Sequence, residues 1–397
     1  MFDTEVEASL QSGPPRRSGR LFASVTTVVL AAALVAAWVL WARGAFWAPL
    51  RVNQVVETSY TVAGPPPALP WPAQGQAYVD VEGVGRLGSS GPAETPVPIA
   101  SVTKTMTAYQ VLRDHPLATF DDGPTITITP DLFAAAKSTV DGESGIEVRA
   151  GEQLTERQAL EGMLLPSAGD VARLLAAWDA GSVPAFVDRM NAQAQALGMS
   201  HTHYADPAGI DQNSASTAAD QVRLGERVLQ VPTLAAIVSM KSADIPVAGL
   251  VTNTNELIGV DGDIGIKTGS TSQAGGCLLF ATRSMVGSVP VTMVGAVLGQ
   301  PGTPWEILPH ALAAAHSLIQ AAQHSLVTAT VVHSGSTVAV LRQRGHADIA
   351  LKSSSDVNVI GWPSLRYRVA VSPGKTLSVS SSLKTDNVMA SSLLAVQ

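Results

Sequence analysis

The chain has 397 residues, of which 14% are charged against roughly 25% in ordinary soluble proteins, and its formal net charge is −7 at pH 7. With no Lys/Arg run beyond Arg16, Arg17 and Arg20, it offers no nucleic-acid surface. One cysteine, Cys277, excludes an internal disulfide or a paired-cysteine metal site, and no His-Glu-x-x-His occurs, so neither metal nor cofactor is expected.

Residues 1–20 are polar and read as a cytoplasmic tail. From Leu21 to Ala42 no residue is charged, and at 1.5 Å per residue that run is ~33 Å long, enough to cross a bilayer. Residues 21–43 are therefore expected to be a single-pass transmembrane anchor in the lipid bilayer. Trp38, Trp41 and Trp47 mark its far interface, and the preceding arginines keep the N-terminus inside and the remainder outside the cytoplasm. A cleaved signal peptide fits less well, because the apolar core is too long and Trp-Ala-Arg-Gly-Ala-Phe-Trp is a poor cleavage site. Residues 44–75 are read as a Pro-rich linker, extended and semi-rigid over Gly64–Pro72.

Residues 76–323 carry mixed patterns. Ala77–Val81 alternates before turns at Gly83 and Gly85, which predicts a hairpin. A helix is expected from the Ser101 segment to about Arg113. Thr155-Glu156-Arg157-Gln158 is a capping box opening a helix that ends near Pro166. Helices follow over about 171–180 and 184–197, and Thr217–Asp220 caps another. Ile264–Gly269 and Gly276–Thr282 read as adjacent antiparallel strands, followed by a strand over Val289–Leu298 and a helix over about 305–323. Residues 324–397 change character to short β-prone runs between Gly, Pro and Ser, which predicts a small β-rich domain.

Chemistry concentrates in three stretches. Ser101-Val102-Thr103-Lys104 puts a hydroxyl and an amine three residues apart, on one face of a helix. A serine is a poor nucleophile until a neighbouring base takes its proton, and a lysine serves only if burial or a second cation lowers its pKa. Ser381-Ser382-Leu383-Lys384 repeats the spacing without companions and is read as surface. Ser101-x-x-Lys104 is followed in order by Ser167-Ala168-Gly169-Asp170 and by Lys267-Thr268-Gly269. Ser167-x-x-Asp170 also matches a helix-capping pattern, so Ser167 has a structural reading beside a chemical one. Cys277 reads as a buried small hydrophobe.

With these motifs, and with Leu164–Ser167, Gly198–Tyr204, Asn253–Asn255 and Gly265–Gly269, residues 76–300 resemble the serine D-alanyl-D-alanine carboxypeptidases, the low-molecular-mass penicillin-binding proteins. The resemblance implies an α+β fold of the β-lactamase/DD-peptidase type: an antiparallel sheet flanked by helices, with a helical lobe and a β-rich domain after it. It implies a membrane-anchored enzyme, on the outer side of a bacterial cell membrane, that removes the terminal D-alanine from peptidoglycan stem peptides and is acylated by β-lactam antibiotics. By the same resemblance Ser101 is the nucleophile, Lys104 its base and Ser167 a proton relay. Lys267, Thr268 and Gly269 bind the substrate, and the backbone N–H groups of Ser101 and Ser270 form the oxyanion hole. Lys267 is expected to lower the pKa of Lys104. The Glu-x-x-Leu-Asn segment of class A β-lactamases is not found.

One position departs from the pattern. The second motif is Ser-x-Asn in the family, and here its third residue is Gly169. A lost hydrogen bond to a charged group costs ~1.5–3 kcal/mol, which motivates an alternative: a catalytically weak protein of the same fold that binds cell-wall peptide or organises partners. On the sequence alone, a water or a side chain such as Asn213 is a candidate to fill the space, and Gly169→Asn is expected to raise turnover.

Overall fold

In a computed structural model, described here over residues 32–39, 51–137, 143–343, 345–372, 376–384 and 388–396, a five-stranded antiparallel sheet separates two apolar cores. Its order is Asp263–Thr271, Gly275–Val286, Val289–Gln300, Gln76–Val81, Gly85–Ser90. Side chains alternate across a strand, so a strand apolar on both faces serves two cores. Leu279, Ala281, Val294 and Ala296 pack into one core, and Leu278, Phe280, Met293 and Val297 into the other.

The first core joins the sheet to a lobe of helices: Lys104–Asp114, Pro130–Ala136, Glu156–Leu164, Gly169–Ala180, Val183–Ala196, Ala218–Leu229 and Pro232–Val238. Local signals set several of their starts. Thr155 accepts from Gln158 N in a complete capping box, and Thr217 accepts from Asp220 N. The second core joins the opposite face to the helix Ile307–Ser325 and to the C-terminal strands.

Of the segment 44–75, read as a linker, residues 44–50 lie outside the described residues, and the reading needs correction over 51–61. Arg51–Gln54 pairs with Thr337–Arg342, and Ser59–Thr61 pairs with Arg366–Val371, so the two pieces form both edges of a seven-stranded C-terminal sheet. The Gln54 side chain locks this arrangement by donating to Val369 O at 3.1 Å and accepting from Val371 N at 3.1 Å. Strands of three and four residues with half-exposed faces leave almost no periodicity to read.

The C-terminal Ser-x-x-Lys also differs from its surface reading. Ser381 is buried, and Lys384 spans the two units to reach Asp80 Oδ1 at 3.0 Å and Glu226 Oε1 at 3.2 Å. Of the expected anchor over 21–43, only residues 32–39 are described, and they are helical. Among the described residues no helix is long and apolar enough to cross a membrane.

Candidate active site

Ser101 sits in a single 3-10 turn, Ala100–Thr103, that runs directly into the helix Lys104–Asp114. The turn begins with Ala100 in the left-handed region at φ 48°, a conformation that costs a non-glycine residue about 1–2 kcal/mol. Lys104 follows one turn later, fully buried, and its Nζ donates to Ser101 Oγ at 2.8 Å and to Ala208 O at 2.7 Å. That carbonyl is itself held in place. Asp206 accepts from the backbone amides of Ala208 at 2.6 Å, of Gly209, and of Asp211 at 2.5 Å, which folds the loop so that Ala208 O faces the lysine.

The strand Asp263–Thr271 is an edge of the central sheet, and its outer side lies against the Ser101 turn. Gly269 makes the approach possible: a Cβ there would stand 2.9 Å from Ile99 O and 3.0 Å from Ser101 N. Lys267 and Thr268 are 1% and 2% exposed, and Lys267 Nζ donates to Thr268 Oγ1 at 3.3 Å. Ser270 follows at the exposed end of the motif.

Two buried ammonium groups so placed cannot both be ordinary lysines. Burial lowers Lys104 to about 8, against the pull of Glu143 and Asp206 in the opposite direction. Lys267 is held well below the ordinary lysine range, first by burial and then by the charge of Lys104. The expectation named Lys267 as the group acting on Lys104; the repulsion is mutual, and here it falls on Lys267, which has no carboxylate to offset its burial.

Ser167 is buried in a left-handed conformation, φ 68°, between the helices Glu156–Leu164 and Gly169–Ala180. It is not the helix cap: Ala168 holds that position without a side-chain bond, and Asp170 accepts from Ile146 N and Val171 N instead. Thr254 ties this loop to the lysine strand. Its N–H donates to Leu165 O at 3.0 Å, and its hydroxyl meets that of Thr268 at 2.5 Å. Asn213 is exposed and does not fill the space beside Gly169; Glu143 does. Asp206, Thr254, Arg173 and Glu143 had no role in the sequence reading. Only the bare glycine at 169 signalled that something had to be supplied from elsewhere. Cys277 is buried and unpaired, with its thiol pushed up to about 12 by burial, and is no nucleophile. Among the described residues no group of His, Cys, Asp and Glu could hold a metal ion.

The arrangement offers a hydroxyl on a buried, depressed lysine, a second cation, and an edge strand lying against the hydroxyl's own turn. That is the equipment for acyl transfer to serine on a substrate carrying an anionic end. Comparison with known proteins agrees. Residues 73–300 match the family described as D-alanyl-D-alanine carboxypeptidase, peptidase S11. A D-alanyl-D-alanine endopeptidase of Pseudomonas aeruginosa is 34% identical over 249 residues, covering 58% of this chain and 75% of that protein. The D-alanyl-D-alanine carboxypeptidase DacA of Escherichia coli K12 is 31% identical over 205 residues, covering 49% of this chain and 50% of its own length. In fold alone, the D-alanyl-D-alanine carboxypeptidase DacD of Francisella tularensis superposes with a TM-score of 0.62 at 18% identity, over 85% of this chain and 97% of that one.

Proposed function

On the premise that the chain belongs to the D-alanyl-D-alanine carboxypeptidase family of serine peptidases, we propose that it removes the terminal D-alanine from peptidoglycan stem peptides through an acyl-enzyme on Ser101. The observation that carries this is the 2.8 Å contact between Lys104 Nζ and Ser101 Oγ, made by a lysine whose pKa lies near 8. A general base works best when its pKa is near the operating pH.

Ser101 Oγ bonds to the carbonyl carbon of the penultimate D-alanine while its proton passes to Lys104. The developing oxyanion is received by the backbone N–H groups of Ser101 and Ser270, donors worth about 3–4 kcal/mol each. Lys267 and Thr268 hold the terminal carboxylate, and Gly269 lets their strand lie against the Ser101 turn so that the substrate reaches both. The C–N bond breaks as Ser167 relays a proton from Lys104 to the departing amine. Water, deprotonated in turn by Lys104, then adds to the acyl carbon, and the bond to Ser101 Oγ breaks as Lys104 returns that proton to the serine. β-Lactams are acylating agents at the same hydroxyl. A single-pass anchor at 21–43 with the catalytic domain outside the cytoplasm belongs to this reading; its support is the uncharged run from Leu21 to Ala42 and the arginines before it.

The test is labelling with a fluorescent penicillin followed by intact-mass measurement. Wild-type protein gains one adduct, and Ser101→Ala gains none. An adduct that survives the substitution, or maps to Ser381, overturns the assignment. The rival reading, a binding protein of the same fold, rested on Gly169 and is separated by turnover of a stem peptide.

A further inference from the structure

The space beside Gly169 is occupied. A Cβ at that position would fall on Oε1 of Glu143 and stand 2.6 Å from its Cδ, so a side chain at 169 and the present Glu143 exclude one another. The carboxylate is 4% exposed and is held by two bonds from Arg173, NH1 to Oε1 at 2.8 Å and NH2 to Oε2 at 3.0 Å. Arg173 stands one helical turn after Gly169 and is anchored in turn by Nε and NH2 on Ala136 O, at 3.2 and 3.0 Å. Backbone bonds fasten the same segment to the start of the helix. Gly169 N donates to Ser144 O at 2.8 Å, and Ile146 N donates to Asp170 Oδ2 at 3.1 Å. A buried carboxylate stays ionised only with such a partner, and a bidentate arginine fixes its orientation as well as its charge.

We propose that Glu143, clamped by Arg173, supplies from a separate segment the polar group that the third position of the second motif lacks, and that it positions Lys104 as an anionic neighbour. The inference rests on the peptidase reading above for its catalytic meaning, though not for its electrostatics. The charged groups acting on Lys104 are Glu143, Asp206 and Asp170, opposed by Arg173; Lys267 also faces it, but their repulsion falls on Lys267. Glu143 exerts the largest of these influences on Lys104, toward keeping it protonated. Its carboxylate therefore raises the pH at which Lys104 becomes a base. Arg173 keeps that effect partial, and Gly169 is small because the carboxylate needs the room.

The experiment uses the full chain. Lys104 is titrated by NMR of 13C-labelled lysine, its signal assigned with Lys104→Arg, in the wild type and in Glu143→Gln. Acylation by a fluorescent penicillin is measured across the same pH range, adding Glu143→Ala, Gly169→Asn and the double variant Glu143→Ala with Gly169→Asn. In Glu143→Gln the Lys104 midpoint and the acylation midpoint both move down, by about half a pH unit or more. Glu143→Ala and Gly169→Asn each lose at least ~10-fold in acylation rate, and the double variant returns to within ~3-fold of wild type, because it rebuilds the motif with an amide. A Lys104 midpoint that stays in place or rises in folded Glu143→Gln overturns the proposal. So does a double variant no faster than either single one. Titration needs no turnover: a Lys104 that responds to Glu143 in a chain that penicillin never acylates supports this inference and breaks the peptidase reading instead.

Discussion

The two halves of the site around Ser101 are assembled in opposite ways. Ser101 and Lys104 lie on one helical turn, and the contact between them follows from their spacing. Gly169 and its neighbours are completed from outside: Arg173 and Glu143 are 30 residues apart in sequence and meet only because the segment 143–146 is bonded across the start of the helix Gly169–Ala180. A group delivered by its own helix is fixed by local geometry. A group delivered by another segment depends on the packing and charge pairing that hold that segment, and it tolerates substitution only in concert with its partner.

The largest effect should come from the local half. Lys104→Ala removes the proposed base, and acylation should fall by roughly 10²–10⁴-fold in stopped-flow or gel-based labelling. A loss of less than about 10-fold would mean that Ser101 is activated by some other group.

Gly169→Asn probes the delivered half. The sequence alone suggested that this change would raise turnover, but the structure reverses the expectation, because the new side chain collides with Glu143. Overpacking of a buried site costs typically 1–3 kcal/mol, so the variant should melt lower and release D-alanine at least ~10-fold more slowly. A variant as stable as wild type and faster would show that Glu143 yields without consequence.

Lys267→Met sharpens the contrast between function and stability. Acylation should slow about 10-fold as the carboxylate-binding charge is lost. The apparent pKa of acylation should hold, because the repulsion between the two lysines falls on Lys267 and not on Lys104. The variant should also melt higher, by about 2–4 °C for each kcal/mol of burial cost relieved. The sign of the pH dependence follows from linkage. Both lysines have folded pKa values below their unfolded ones, so the unfolded chain binds more protons between about pH 8 and 10.5, and wild-type stability rises with pH across that window. Lys267→Met should flatten that rise, and differential scanning calorimetry at three pH values reads it.

Lys384→Met should do least. It cuts the ion pairs to Asp80 and Glu226 that join the C-terminal sheet to the central sheet and the helical lobe. Its melting point should drop by a few degrees, consistent with about 1–2 kcal/mol for a half-exposed donor facing one buried carboxylate. Acylation should stay within ~2-fold. A larger loss of rate would show that the C-terminal sheet steers the site.

Much of this was legible before the structure. The capping box at Thr155, the cap at Thr217, the paired strands around Lys267 and Cys277, and the Ser101–Lys104 contact all come from short-range chemistry that sequence spacing expresses directly. What escaped depends on distant pairing. Arg51–Gln54 becomes a strand only by finding Thr337–Arg342, and Gln54 bonds to residues more than 300 positions away. Asp206 carries no motif of its own, although its three backbone bonds aim Ala208 O at the lysine. Glu143 carries no signature at all; its role follows from the emptiness of Gly169 and the reach of Arg173.

A site that turns over a peptide differs from one that only accepts a drug in what it releases. Release of free D-alanine from a stem-peptide mimic ending in D-Ala-D-Ala, followed by mass spectrometry for wild type and Ser101→Ala, tests for turnover most directly. The wild-type chain should release D-alanine steadily, at a rate that rises with pH through an apparent pKa near 8, and Ser101→Ala should release none. A wild-type chain that is acylated by penicillin but releases no D-alanine at any pH from 6 to 10 would contradict the peptidase reading.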